Sequence, residues 1–296
     1  MPTALRRLLD QRARPLPQRL RGPLLATTAI LVLVASVWAW NRSDLAFGDL
    51  DWLPILLLLL VAAPASLGLK AAEFRVAAAI ADQQPGLGRC FDVAVLSSAA
   101  NLLPLPGSLL VTVQSLSEDG TTYGTAVNAS AVPGLAWLSI TGLVGGGAIA
   151  VEGNVWLGLS VAAGGLVVAT VAGAMFLRTA PVERRVALAL VIVIVEAGWL
   201  AVSALRLGLA VSALGVSIDP LQAVALSVAG AITVAIGFVP GGLGVREALI
   251  AGLAPIIGLE FDTGILLGTL DRIVWLLFLA VAAAASVAIH SRRTAA

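Results

Sequence analysis

Residues 221–258 read LQAVALSVAGAITVAIGFVPGGLGVREALIAGLAPIIG, and their interpretation decides the fold. The stretch is apolar enough to lie in a membrane, yet Gly237-Phe238-Val239-Pro240-Gly241-Gly242-Leu243-Gly244 interrupts its centre. Proline and glycine at that density stop a helix. Irregular backbone survives at membrane depth only where protein or a wet cavity satisfies its freed N–H and C=O groups. The break therefore belongs inside a larger helical assembly rather than on a lipid-facing surface.

The rest of the chain supplies that assembly. Of 296 residues, 59% are hydrophobic and 12% charged, well beyond the roughly half-apolar usage of water-soluble domains. Mean hydropathy is +1.00, which marks an integral membrane protein and leaves no room for a large soluble catalytic unit. Apolar segments are expected near 24–40, 53–81, 90–117, 125–150, 155–177, 186–214, 221–258 and 263–289. Segment 90–117 carries a second break, Asn101-Leu-Leu-Pro104-Leu-Pro106-Gly107.

Basic residues mark cytoplasmic loops, which tests whether the broken segments cross the membrane or turn back. If 90–117 crossed, Arg178, Arg184 and Arg185 would fall outside. If it dips in and returns, and 221–258 does the same from the other side, 14 of the 18 basic residues lie inside and Arg42 alone lies in an outer loop. The expected fold is thus all-α and polytopic, with about six spanning helices and two re-entrant broken helices. Residues 1–23 form a basic cytoplasmic tail with six arginines against Asp10, residues 24–290 a single transmembrane domain, and 291–296 a cytoplasmic C-terminal tail. A cleaved signal peptide ending near Val37-Trp38-Ala39 is the competing reading of the N-terminus. A weak internal repeat, Arg75 to Ser97 and Arg206 to Ser227, each followed by a break, suggests an inverted repeat like those of many transporters.

Several chemistries are excluded at once. One cysteine (Cys90) and one histidine (His290) make no zinc, disulfide or Ser-His site, so no metal is expected. No G-x-x-x-x-G-K-[ST] loop exists, so the chain has no ATP site of that kind. No cofactor and no nucleic-acid partner are expected. Glycines 142, 145, 146, 147, 158, 164 and 165 read as close helix packing.

The second break has positive chemical content. A glycine-rich turn opening a helix aims backbone N–H groups at one spot, and the helix dipole favours an anion there. Arg246 stands beside it, and a guanidinium binds two phosphate oxygens at once. Gly241, Gly242, Gly244 and Arg246 are therefore candidate anion-binding residues, with Asn101 and Gly107 of the first break as further candidates. A sharp turn with Arg246 paired to a carboxylate is the plainer alternative. Glu247 is expected to cap the helix start. Glu196, Arg246, Asp271 and Arg272, joined by Glu247, are expected in a central charged network, with Glu196 or Asp271 as a proton carrier. Arg75 and Arg206 are expected to snorkel to the two interfaces.

The stretch Pro240 to Glu247, Pro-Gly-Gly-Leu-Gly-Val-Arg-Glu, followed by a last span holding Arg272, resembles the lysylphosphatidylglycerol synthase transmembrane-region family, the flippase-like membrane domain also found in bacterial multiple peptide resistance factors. Asn101, Pro104 and Gly107 look like that family's earlier signature. Members often carry an acidic residue and an arginine after the first break, where this chain has Ser108-Leu-Leu-Val-Thr112-Val-Gln114. The likeness covers most of residues 50–290 in layout, and its specific part is the second motif. It implies a transporter of the cell membrane, both termini cytoplasmic, moving an anionic phospholipid or lipid-linked envelope precursor. It also implies a membrane lipid or lipid-linked substrate as partner, with a homo-oligomer or an envelope-synthesis enzyme as further partners. The soluble synthase half is absent from this sequence, so lysine transfer is not expected and the chain is read as no enzyme. Two alternatives stand beside this: an enzyme acting on a lipid phosphate, with Glu247 or Asp271 as acid or base, and a non-transporting scaffold for an envelope enzyme.

Overall fold

A computed structural model describes residues 34, 37, 38, 40, 41, 48, 50–101, 107–118, 120–236 and 244–294, with side chains after Ser286 described only at Ala288. The basic tail, almost all of the first apolar segment, Pro104, Pro106, Gly241 and Gly242 lie outside the described residues.

Every element here is helical, with no strand among the described residues. The helices are α1 (Trp52–Ile80), α2 (Leu87–Ala100), α3 (Gly107–Glu118), α4 (Tyr123–Val151), α5 (Val155–Thr179), α6 (Arg185–Ala213), α7 (Pro220–Ile236), α8 (Val245–Leu253) and α9 (Phe261–Thr294). Five of them, α1, α4, α5, α6 and α9, are long and apolar enough to cross a membrane. They coincide with five of the six spans expected from hydropathy. Their outward faces carry Leu60, Trp156, Val186, Ile194 and Val281, all more than 60% exposed. A water-soluble protein does not display such a surface, and a bilayer is the solvent that accepts it. The chain is an all-α polytopic membrane protein. The last helix runs on to Thr294, past residue 290 where a separate tail was expected.

Local chemistry sets the helix ends. Asp51 accepts from the Leu53 N–H, Thr122 from Thr125 and Asn154 from Leu157, satisfying donors that a helix start leaves unpaired. At α7 the capping is reciprocal: the Gln222 N–H donates to Asp219 at 2.9 Å, and the Asp219 N–H to Gln222 at 3.0 Å. Pro220 supplies a fixed φ at the first helical position.

The helix ends sort into two groups. At one end of the bundle the Gln83 amide donates to the Leu116 carbonyl at 3.0 Å and to Thr121, and Arg89 donates to the Ser115 carbonyl at 3.0 Å. Arg184 lies 3.5 Å from Asp82 there, and Ser286 donates to Asp92 at 3.1 Å. At the other end the Asp51 N–H donates to the Ala213 carbonyl at 3.1 Å. Gln222 donates there to Glu152 at 3.4 Å and to the Ile257 carbonyl at 3.2 Å. It follows that α2 and α3 form a hairpin that leaves and returns to the Gln83 end. Likewise α7 and α8 form one that leaves and returns to the Gln222 end. With 14 and 12 residues, α2 and α3 are each about 20 Å long.

Two apolar clusters hold the bundle. One gathers Leu58, Ile149, Leu207, Leu226, Ile250 and Leu267 around the second hairpin; the other gathers Phe74, Ile80, Val93, Leu116, Val132 and Ile192 around the first. Of the glycines expected to mediate packing, Gly142, Gly146, Gly158 and Gly165 do so, because a Cβ on any of them would come within 3 Å of backbone across the α4–α5 seam. Gly145 does the same against α7, where a Cβ would stand 2.3 Å from the Val228 side chain, while Gly147 and Gly164 face open space.

Candidate functional site

The second hairpin ends where α8 begins, and that start is built by Gly244 and Glu247. Gly244 has φ +78°, a conformation that side chains with a Cβ rarely adopt. Its N–H donates to Glu247 Oε2 at 2.8 Å, so the expected cap is present. The helix start is consequently occupied in part by the chain's own carboxylate, and one of the donors anticipated for an external anion is already engaged.

Helix α8 is held tightly against α9 by two glycines, Gly264 and Gly268, four residues apart. A Cβ at Gly264 would stand 2.6 Å from Ala251 Cα, and one at Gly268 would stand 3.4 Å from Glu247 Cα. Small residues at this spacing let two helix backbones approach closely. The approach brings two consecutive charged residues of α8 against two of α9. Arg246 donates to Asp271 Oδ2 at 2.6 Å, and Arg272 donates to Glu247 Oε1.

A third arginine joins from α6. Arg206 donates through Nε to Asp271 Oδ1 at 2.8 Å and through a terminal nitrogen to Ser66 of α1 at 3.3 Å. Its guanidinium carbon lies 4.9 Å from the centre of the Trp275 ring, within cation–π range. Ser66 in turn donates to the Ala62 carbonyl at 2.9 Å, next to the π-helical turn Leu58–Ala62. The expectation that Arg206 snorkels to an interface is therefore corrected: it is 9% exposed and bound to a buried acid. Arg75, its counterpart in the weak repeat, is exposed.

Among the described residues the cluster holds three guanidiniums against two carboxylates. Asp271 is fully enclosed and Glu247 nearly so, whereas Arg246 has a side chain 21% exposed, more than Arg206 or Arg272. Both oxygens of each acid are engaged: Asp271 by two arginines, Glu247 by Arg272 and the Gly244 N–H. Excess positive charge within an apolar bundle attracts an anion.

Glu196 is not part of this cluster. It lies ten residues before Arg206 on the same helix, a separation of about 15 Å along the axis. Both of its carboxylate oxygens lack a described hydrogen-bond partner, and Gly198, two residues on, faces Leu69 of α1. Its inclusion in one central network is corrected by that helical rise.

The first break has a different character. Asn101 accepts from the Ser108 N–H at 2.9 Å and so bridges the gap between α2 and α3. Gly107 is buried, and a Cβ there would stand 2.1 Å from the Ala100 carbonyl oxygen. Both residues close the hairpin, and neither has a described contact with the arginine cluster. Sequence reasoning passed over Ser66, Trp275 and the Gly264–Gly268 pair. The last was legible as a small-xxx-small spacing in an apolar run. No group of three or more His, Cys, Asp or Glu suited to a metal occurs among the described residues.

Comparison with protein-family models, with curated proteins and with solved structures finds no match to this chain.

Proposed function

We propose that this chain is a cell-membrane transporter that carries an anionic phospholipid or lipid-linked envelope precursor between leaflets. In this proposal the headgroup phosphate is held beside Gly241, Gly242 and Gly244 by Arg246. One observation carries the reading: three arginines surround two saturated carboxylates at the break of a membrane hairpin, with Arg246 the most accessible of them. A phosphate oxygen can replace a carboxylate oxygen on a guanidinium without loss of hydrogen bonds. The likeness of Pro240 to Glu247 to the lysylphosphatidylglycerol synthase transmembrane region supports a lipid rather than a small solute.

The proposed topology has six spans, the first within 24–40, and two re-entrant hairpins related as an inverted repeat. The opposed hairpins at the Gln83 and Gln222 ends support it. Arg89, Arg178, Arg184 and Arg185 stand at or near the Gln83 end. Asp51, Glu152, Asp219, Glu260 and Asp262 stand at or near the other, where no described residue is basic. The positive-inside rule makes the Gln83 end cytoplasmic.

An enzyme working on a lipid phosphate fits less well. Its candidate acids, Glu247 and Asp271, have both oxygens occupied, and a general acid or base needs one to reach substrate. The test is leaflet exchange of labelled anionic, aminoacylated and polyprenyl-phosphate lipids in vesicles containing the purified chain. Exchange of one class, lost in Arg246→Ala, is expected. Exchange of no class by folded protein contradicts transport, and formation of a modified lipid by the chain alone supports the enzyme.

A further inference from the structure

Away from the arginine cluster, the bundle holds a second polar group for which lipid binding has no use. Glu196 is 1% exposed, and both of its carboxylate oxygens lack a hydrogen-bond partner. An ionised carboxylate in that condition is strongly disfavoured in an apolar interior, and a neutral one much less so. On α1, which packs against this helix with Leu69 opposite Gly198, Lys70 donates to Glu73 at 2.8 Å, and both side chains keep a small exposure of 18% and 16%. With all three ionised this trio has one negative charge in excess; one proton on Glu196 makes it neutral.

The Lys70–Glu73 pair also lines a cavity of about 10 Å³ between α1, α2, α3 and α4, enough for about one water. Hydroxyls of Ser97, Thr112 and Ser130 complete its polar wall. Ser97 and Thr112 donate to the Ala94 and Ser108 carbonyls, which leaves their lone pairs to accept. Ser130 Oγ is buried without any partner, as expected of a wall that faces a water.

We infer that Glu196 is a proton-binding site that exchanges its proton with water through the Lys70–Glu73 pair and the cavity behind it. Uptake adds one proton from water to one Glu196 oxygen, and release returns it to water, so no other reactant is required. The surroundings favour a proton over a metal cation, because the α1 segment packed against α6 already carries the Lys70 ammonium. Other elements packed against α6 do not compete for the role. The spans contributed by α7 and the first turns of α1 carry no charged side chain, and the one titratable group on α4 is Tyr123 in its first turn at the Gln83 end. Asp271 of α9 is bound to Arg206 about 15 Å further along α6. Glu183 and Arg184 lie in the turn that precedes α6. The site stands independently of the lipid reading, since no described side-chain hydrogen bond or ion pair joins Glu196, Lys70 or Glu73 to the three arginines or their two carboxylates.

Infrared spectroscopy of the full chain at neutral pH, in a detergent free of ester groups, tests it. A protonated carboxylic acid has a carbonyl stretch, shifted slightly in D₂O, that ionised carboxylates lack. The expected spectrum shows one such acid per chain, lost in Glu196→Gln and kept in Glu118→Gln. Absence of the band from the wild type, or its persistence in Glu196→Gln, overturns the inference. If the glutamine variant does not fold, Glu196→Asp must move the band, and an unmoved band overturns it equally. Failure of lipid exchange leaves this readout unaffected.

Discussion

Arg246 and Asp271 meet at 2.6 Å across the α8–α9 contact, and the other oxygen of the same carboxylate is held by Arg206 at 2.8 Å. One fully enclosed acid thus ties together three helices, α6, α8 and α9. The broken hairpin is anchored to the spanning bundle by charge as well as by packing.

Asp271→Ala is expected to destabilise the protein by about 3–5 kcal/mol, the range for leaving a buried charge without its partner. Arg246→Ala should have a smaller effect, because Arg246 is more exposed and Asp271 keeps Arg206 after its loss. Thermal unfolding in detergent measures both. A larger loss for Arg246→Ala than for Asp271→Ala contradicts the assigned hierarchy.

Gly264→Val is expected to force α8 away from α9, since even a single added carbon would stand 2.6 Å from Ala251 Cα. Overpacking of this kind costs about 1–3 kcal/mol, and the Arg246–Asp271 pair should loosen with it. The control is Gly252→Ala on α8, where the added carbon meets nothing within 4 Å; there helix propensity favours alanine by about 1 kcal/mol. Equal unfolding temperatures for the two variants would show that the glycine seam does not set the helix approach.

The hairpin topology is open to cysteine labelling, because the native Cys90 is 1% exposed and should stay silent. Cysteines replacing Gly88, Glu118 and Glu183 are expected to react from one side of the membrane. Those replacing Ser217 and Glu260 should react from the other; all five positions are exposed. Opposite sidedness of Gly88 and Glu118 would mean that the first broken segment crosses.

Gly244→Ala is expected to cost about 1–2 kcal/mol, because alanine at φ +78° is strained. Gly107→Ala acts through space instead, pushing against the Ala100 carbonyl. Both should lower the unfolding temperature, and a neutral Gly244→Ala would show that the α8 start does not hold the left-handed geometry.

The sequence made the breaks visible because proline and glycine at high density act locally: the described helices stop at Ile236 and resume at Val245 on either side of Pro240 and its glycines, whereas a lone Pro133 is carried inside α4. The Glu247 cap was readable for the same reason, its partner being three residues away. Arg206 was misjudged because depth in an apolar run depends on partners distant in sequence, here Asp271, Ser66 and Trp275 from two other helices. The separation of Glu196 from Arg206 was available from helical rise alone. Its proximity to Lys70 and Glu73 required knowing that α1 lies against α6, which no local pattern states.

The most direct measurement is leaflet exchange of an anionic lipid in vesicles containing wild type, Arg246→Ala or the surface control Arg89→Ala, followed with a membrane-impermeant quencher. Exchange by wild type and by Arg89→Ala is expected, with at least a tenfold slower rate in Arg246→Ala, the loss of about 1.4 kcal/mol or more of binding. Undiminished exchange in folded Arg246→Ala would contradict the phosphate site assigned to the second hairpin.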